Sequence, residues 1–187
     1  MSQSMKKLTD EELCVMLRGD REDARRAFDE IYERYAGRVF TYCRKILADG
    51  LTAEDMLQEA FTRFYENATD GRIISNIEAY VLRIARNLCL NEKGKRMRYV
   101  NSFEECRFPT EDAAYESAEL LKLIEMALAM IPEDYREAYV LREFLGLSYN
   151  EIAEITGVSL SIVKTRLYRS KSQIRDILAP YIADLHK

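Results

Sequence analysis

SYNEIAEITGVSLSIVKTRLYRSK, residues 148–171, reads as two short helices joined by a tight turn. Ser148 and Glu151 form an S-x-x-E pair, in which each side chain satisfies the other residue's backbone N–H, so the first helix begins there. Ile152 and Ile155 face inward, and Ala153 sits where the two helices cross and only a small side chain fits. Gly157 supplies the positive φ of a turn that a residue with a Cβ resists, and Ser159 caps the second helix. Along that helix Val163, Leu167, Ser170, Ile174 and Ile177 recur at three and four and bury one face, while Lys164, Thr165, Tyr168, Arg169 and Lys171 point elsewhere. A packed back, a basic front and a bracing helix make a helix-turn-helix. In that geometry Ser161, Lys164, Thr165 and Tyr168 reach base edges in a major groove, and Arg166, Arg169 and Lys171 hold phosphates. A plain helical hairpin explains the apolar spacing but not the basic outer face.

The whole chain has 187 residues and is 48% hydrophobic, enough for one large domain or two small ones. No apolar run approaches the roughly 18 residues needed to span a bilayer, and the opening MSQSMKKLTDEEL has no signal-peptide core. A cytoplasmic protein without membrane insertion is expected. Cys14, Cys43, Cys89 and Cys106 lie far apart with no CxxC pair, and the single histidine is His186; reduced, mostly buried thiols are expected rather than disulfides or zinc. No phosphate-cradling glycine loop and no nucleophile with a histidine partner is present, so neither enzymatic activity, a cofactor nor a metal is expected.

A net charge of −4 is unusual for a nucleic-acid binder until it is divided along the chain. Residues 80–98 carry six basic and one acidic group, and residues 159–187 carry six and two, whereas 99–158 carry four and thirteen. Two basic windows in an acidic chain suggest two separate phosphate contacts, with acidic surface elsewhere suppressing indiscriminate binding. Solvated helix faces account for the same windows if charge alone is considered.

Seven glycines, three prolines and long three-and-four apolar spacing make the chain nearly all helix. Helices are expected over 9–18 and 21–47, the second with Ala27, Phe28, Ile31, Tyr32, Tyr35, Val39, Phe40 and Cys43 inward. Thr52 is expected to cap a third, with Met56, Leu57, Ala60, Phe61 and Phe64 on its apolar face. ENATDGRIISN reads as a loop, and a fourth helix carrying Tyr80, Val81, Ile84, Ala85, Leu88 and Cys89 frays at EKGKRMR. Residues 99–116, YVNSFEECRFPTEDAAYE, lose the periodicity and are acidic. The expected fold is therefore all-α: two small helical domains, 1–98 and 117–187, joined by a flexible acidic linker over 99–116, the second being the helix-turn-helix domain. Breaks in the second are expected at Ile131-Pro132, Leu145-Gly146-Leu147 and Thr156-Gly157-Val158.

In LTAEDMLQEAFTRFYENA, Asp55, Gln58 and Glu59 fall three and four apart and form a polar stripe beside the apolar one. Such a stripe is ordinarily the wet face of a helix. AEDMLQEAF, AYVLRIARNLCLNEKGKRMR and IPEDYREAYVLREFLGLSYNEIAEITGVSLSIVKTRLYRSKSQIRDIL, in that order, resemble three segments of the extracytoplasmic function branch of the sigma-70 family: a core-binding segment, a helix over the upstream edge of the minus-ten element, and a minus-thirty-five-binding domain. The resemblance covers roughly residues 10–96 and 117–180 and is specific in motif order.

The resemblance implies a factor that binds core RNA polymerase and promoter DNA and directs initiation. Asp55, Gln58 and Glu59 would meet the clamp helices of the polymerase's largest subunit. NATDGRIISN, with Asn76, would capture an unstacked base of the non-template strand. Arg83, Arg86 and Asn87 match the DNA-facing side of the next helix, and Lys93, Lys95 and Arg96 would hold phosphates. The linker would run towards the RNA path, its negative charge mimicking RNA. An anti-sigma factor is an implied partner, the free chain an expected monomer, and Cys106 a candidate redox position. Many relatives carry Trp at Tyr80 and Phe at Ile77, so the support beneath the capture loop differs here. Two other readings stay open on the residues: a stand-alone helix-turn-helix regulator using only 117–187, and a sigma-like interaction protein that binds no DNA.

Overall fold

The computed structural model describes residues 5–99 and 115–185, with side chains over 5–95 and 122–181. The chain divides into two compact units, Met1–Glu105 and Cys106–Lys187. Every extended element among the described residues is a helix, as the periodicity implies.

In the first unit α1 spans Asp10–Met16, α2 Arg21–Leu47, α3 Gly50–Thr69 and α4 Ile77–Tyr99. Each start has a local cause. Thr9 and Glu12 make a reciprocal capping box at α1. The Asp20 carboxylate accepts from the backbone N–H groups of Glu22 and Asp23, both at 2.9 Å, to open α2. The long helices α2, α3 and α4 pack against one another, with α1 laid on α2. Their core holds Ile31, Val39, Tyr42, Phe61, Phe64, Val81 and Leu82, all essentially without solvent contact.

Four expectations for this unit differ from the structure. The loop expected over ENATDGRIISN begins only at Asp70, because α3 continues through Thr69. Thr52 does not cap α3: the helix starts three residues earlier in the bond pattern, Asp49 is its N-cap, and Thr52 donates its hydroxyl to the Asp49 carboxylate at 2.5 Å. An aspartate at that position also faces the positive end of the helix dipole. Tyr32, expected inward, is 38% exposed, while Tyr42 is fully buried. Tyr32 lies instead on the rings of Phe28 and Phe61, at 6.3 and 4.9 Å. Finally, α4 does not fray at EKGKRMR but continues to Tyr99. One interior glycine costs only about 1 kcal/mol; Lys95 pairs with Glu92 at 3.6 Å, and a basic run suits the negative end of the helix dipole.

In the second unit α5 spans Tyr115–Met130 and α6 Glu133–Tyr139; a π-helical turn follows over Val140–Phe144, then α7, Tyr149–Thr156, and α8, Leu160–Leu185. Helix therefore reaches residue 99 from one side and begins at 115 on the other; residues 100–114 of the expected linker, Cys106 among them, lie outside the described residues. The breaks fall where expected, at Ile131-Pro132, around Gly146 with φ +67° and at Gly157 with φ +71°. Ala127, Leu128, Ile131, Ile174 and Leu178 form one core cluster between α5 and α8.

Cys14, Cys43 and Cys89 are buried free thiols, as expected of a reduced core. Burial, and then the nearby Asp10 carboxylate, push the Cys14 thiol up to about 11. Since the thiolate is the nucleophile, its alkylation at pH 8 should be slower than that of a free cysteine by a factor on the order of a hundred. Mass spectrometry of iodoacetamide-treated Cys106→Ser protein should find Cys14 unmodified when native and fully modified in urea; rapid native labelling would contradict this packing.

Candidate nucleic-acid interface

The helix-turn-helix forms from bonds close in sequence. Ser148 and Glu151 make both halves of a capping box, at 2.7 and 3.3 Å. The Ser159 hydroxyl accepts from the Ile162 N–H at 3.4 Å at the start of α8. Gly157 in the left-handed region lets the chain reverse between the two helices, where an L residue would cost roughly 1–2 kcal/mol. The turn ahead of α7 is braced by Arg142, leaving the π-helical turn: it donates to the Leu147 carbonyl at 2.8 Å and lies over the Tyr149 ring at 5.1 Å. That brace escaped the sequence pattern, because a π turn shifts every later side chain round the axis.

On α8, Val163, Leu167, Ser170, Ile174 and Leu178 are buried, and Ile177 is half-buried. The opposite face carries Ser161, Lys164, Thr165, Tyr168, Arg169 and Lys171, all exposed, with Tyr168 at 76%. Arg166 differs from the others in being half-buried. All three predicted phosphate cations have partners within the unit: Arg166 pairs with Asp134 at 2.5 Å, Arg169 donates to the Tyr135 hydroxyl at 2.9 Å, and Lys171 pairs with Glu143 at 2.8 Å. The Tyr135 hydroxyl raises the Arg169 pKa and the Glu143 carboxylate that of Lys171, so both stay cationic. Leu160 and Ile162 add exposed apolar area at the first turn of α8. Sequence reading passed over them, although both fall off the buried stripe.

In the first unit the loop between α3 and α4 turns through Gly71, φ +91°. Ile74 is buried beneath it while Ile73 is 93% exposed at its tip. Asn76 is exposed, and its side-chain oxygen accepts from the Ala79 N–H at 2.9 Å, so it caps α4. Tyr80 packs edge-on against Phe64; the Arg83 guanidinium lies over the Tyr80 ring at 5.3 Å, and Arg72 donates to the Tyr80 hydroxyl at 3.4 Å. Arg83, Asn87 and Lys95 are exposed on α4, Arg86 and Lys93 half-buried; the Arg96 side chain lies outside the described residues. The predicted residues therefore share one helix, with a Tyr-Arg cluster at its loop end that the sequence suggested only at Tyr80 and Arg83.

Asp55 and Gln58 are exposed on α3; Glu59 is half-buried and pairs with Arg63 at 2.7 Å. The stripe continues at the same spacing through Thr62, Tyr65 and Glu66. There it borders a cavity of about 580 Å³ between α2 and α3, lined also by Arg21, Ala24, Arg25 and Phe28. The Phe28 and Tyr65 rings meet edge-on at 5.6 Å.

Two polar helix faces and a braced helix-turn-helix, on two all-helical units, define a class that comparison with known proteins identifies. Residues 31–99 match the family described as Sigma-70 region 2, and residues 121–174 match Sigma-70, region 4. The ECF RNA polymerase sigma factor SigE of Mycolicibacterium smegmatis is 31% identical over 165 residues, 84% of this chain and 64% of that protein. The ECF RNA polymerase sigma-E factor of Escherichia coli is 30% identical over 190 residues, 94% of this chain and 97% of that one. Among solved structures, the sigma factor RpoE from Bartonella quintana, in complex with the anti-sigma factor NepR, superposes with a TM-score of 0.73 at 25% identity, covering 81% of this chain and 96% of that one. The chain belongs to the sigma-70 family as an ECF RNA polymerase sigma factor. No helix among the described residues is long and apolar enough to cross a membrane.

The buried and exposed faces of α8 separate packing from recognition. Leu167→Ala should cost about 2–5 kcal/mol of unfolding free energy, and Tyr168→Ala less than about 0.5. Urea denaturation followed by circular dichroism checks both; comparable losses would mean that Tyr168 is a packing residue.

Proposed function

We propose that the chain docks on core polymerase through Asp55, Gln58 and Glu59, reads the minus-thirty-five element through α8, and engages the minus-ten element through α4 and the loop before it. The observation that carries this reading is the exposed face of α8, where a tyrosine 76% open to solvent stands with Ser161, Lys164 and Thr165 opposite a fully packed back. Such a ring suits base edges in a major groove.

Arg166, Arg169 and Lys171 take phosphates by exchanging their present partners. Lys171 gives up an exposed ion pair worth only about 0–1 kcal/mol and Arg169 a single hydroxyl contact, so their exchange is nearly free; Arg166, half-buried against Asp134, gives up more. On the minus-ten side Arg83, Arg86, Asn87, Lys93, Lys95 and Arg96 follow the backbone. The 70–76 loop takes the unstacked base, with Asn76 holding the loop's end at α4. Capture of the base offsets an unstacking cost of a few kcal/mol. Bond-making stays with the polymerase, and the chain supplies no catalysis. Domains 1–98 and 117–187 with a linker over 99–116 divide these tasks. An anti-sigma factor is a further partner of a cytoplasmic protein that is monomeric when free; support comes from the Bartonella quintana sigma factor, whose structure is that of an anti-sigma complex.

Run-off transcription with purified core polymerase on a genomic promoter library tests the reading. Start sites dependent on this protein are expected. Asp55→Ala with Gln58→Ala should weaken core binding at least tenfold with the fold intact. Lys164→Ala should relax base preference in the upstream element, whereas Lys171→Ala should weaken all sequences alike and lower the salt slope by about one. Operator binding without polymerase and no dependent start sites would favour the stand-alone regulator instead.

A further inference from the structure

The segment between α3 and α4 is held at both ends by one short helix and the turn that follows it. Arg18, just past α1, donates its Nε to the Ala68 carbonyl at 2.8 Å and its Nη2 to the Arg72 carbonyl at 2.6 Å. One guanidinium thus closes the unsatisfied end of α3 and the first half of the loop together. At the far end Asp10, the first residue of α1, accepts the Ile77 backbone N–H on Oδ2 at 2.8 Å, capping the first turn of α4. Its other oxygen takes the Tyr35 hydroxyl at 2.6 Å, which fixes the carboxylate against α2. The seven residues of α1 and the turn after it therefore reach across the loop, from Ala68 to Ile77, with Leu13, Cys14 and Leu17 buried.

Between the two grips only Ile74 is buried; Gly71, Arg72, Ile73, Ser75 and Asn76 face solvent. A solvent-facing loop of this kind, with a glycine at φ +91°, would otherwise sample many conformations. Ordering it during base capture would cost on the order of 1 kcal/mol per residue. A loop already held by its backbone carbonyls and N–H groups has met that cost on folding.

We infer that α1 is a positioning element for base capture, with Arg18 and Asp10 setting the loop's shape before DNA arrives. The inference rests on the proposed role of the loop. It adds two positioning residues, 50 to 67 positions away in sequence. The partition is physical: Arg18 and Asp10 meet the loop only at its backbone, so they govern how firmly the loop is held, and exposed side chains such as Ile73 govern which base it takes.

Two measurements on the full chain separate this inference from the reading beneath it. Amide hydrogen exchange across residues 70–77 should accelerate at least tenfold in Arg18→Ala and Asp10→Ala, and much less in Asp10→Asn, whose amide oxygen still accepts the Ile77 N–H. With core polymerase, and promoters carrying each of the four bases at the captured position, both alanine variants should lose five- to tenfold of the discrimination while core affinity stays within twofold. Asp10→Asn should keep most of it. Ile73→Ala should alter discrimination without changing exchange. Unchanged exchange in both alanine variants overturns the positioning role. Faster exchange with discrimination intact, while Ile73→Ala still alters it, overturns it as well. If neither the alanine variants nor Ile73→Ala changes discrimination, the loop is not the capture site, and the inference falls with that reading.

Discussion

Hydrogen bonds that close helix ends govern both proposed recognition faces, because burial of apolar stripes alone leaves the phase of a helix poorly defined. A helix turns about 100° per residue, so a one-residue slip of α8 would carry Tyr168 towards the position of Leu167. What prevents the slip is local: the Ser148–Glu151 box, the left-handed Gly157 and the Ser159 cap fix where each helix begins. In the first unit the closures come from afar, since Arg18 and Asp10 complete the ends of α3 and α4. Both arrangements do the same physical work: they turn a helix held by non-directional packing into one with a defined exposed face.

Electrostatics act at a second level. The chain is acidic overall, and the cations on α8 are met by Asp134, Tyr135 and Glu143 from α6 and the π turn. Asp134 and Glu143 are built-in counterions, and the Tyr135 hydroxyl is a neutral acceptor. The two carboxylates lower the field of the recognition helix when no DNA is present, and the exposed Glu143 surrenders Lys171 at little cost. A helix with unpaired arginines would adhere to any duplex, whereas on the proposed function paired ones would favour DNA that also satisfies Ser161, Lys164, Thr165 and Tyr168. On the proposed function, the pairing thus trades affinity for selectivity.

How much of this was legible depended on the range of the interaction. The capping box, the Gly157 turn and the buried stripe of α8 are encoded within a few residues and were readable. Thr52 was misread because a hydroxyl and a carboxylate three residues apart both qualify as caps, and only the backbone shows that the helix begins at Asp49, which holds the N-cap position without a side-chain cap bond. The exchange of Tyr32 for Tyr42 has a similar cause: on a 27-residue helix touching several neighbours the buried face rotates along the axis, so one stripe cannot serve throughout. Continuation of α4 beyond Gly94 was hidden by a local penalty smaller than its supports. Arg18 and Asp10 were invisible. Their partners lie 50 to 67 positions away, and their targets are backbone atoms that carry no sequence signal.

The order in which the parts are rigid bears on how the factor would open DNA. A site that must stabilise an unstacked base gains from being formed beforehand, because every residue ordered during capture subtracts from the energy available for unstacking. The 70–76 loop has few side-chain contacts of its own, Ile74 being its single buried anchor. Its order must therefore come through the backbone, and α1 is the element whose polar ends reach it. On the proposed function α8 faces the opposite demand, as it would read intact duplex and need only present side chains that rearrange. Exchangeable salt bridges suit α8, and backbone grips suit the loop. The two DNA contacts proposed for this sigma factor differ in rigidity because they meet DNA in different states.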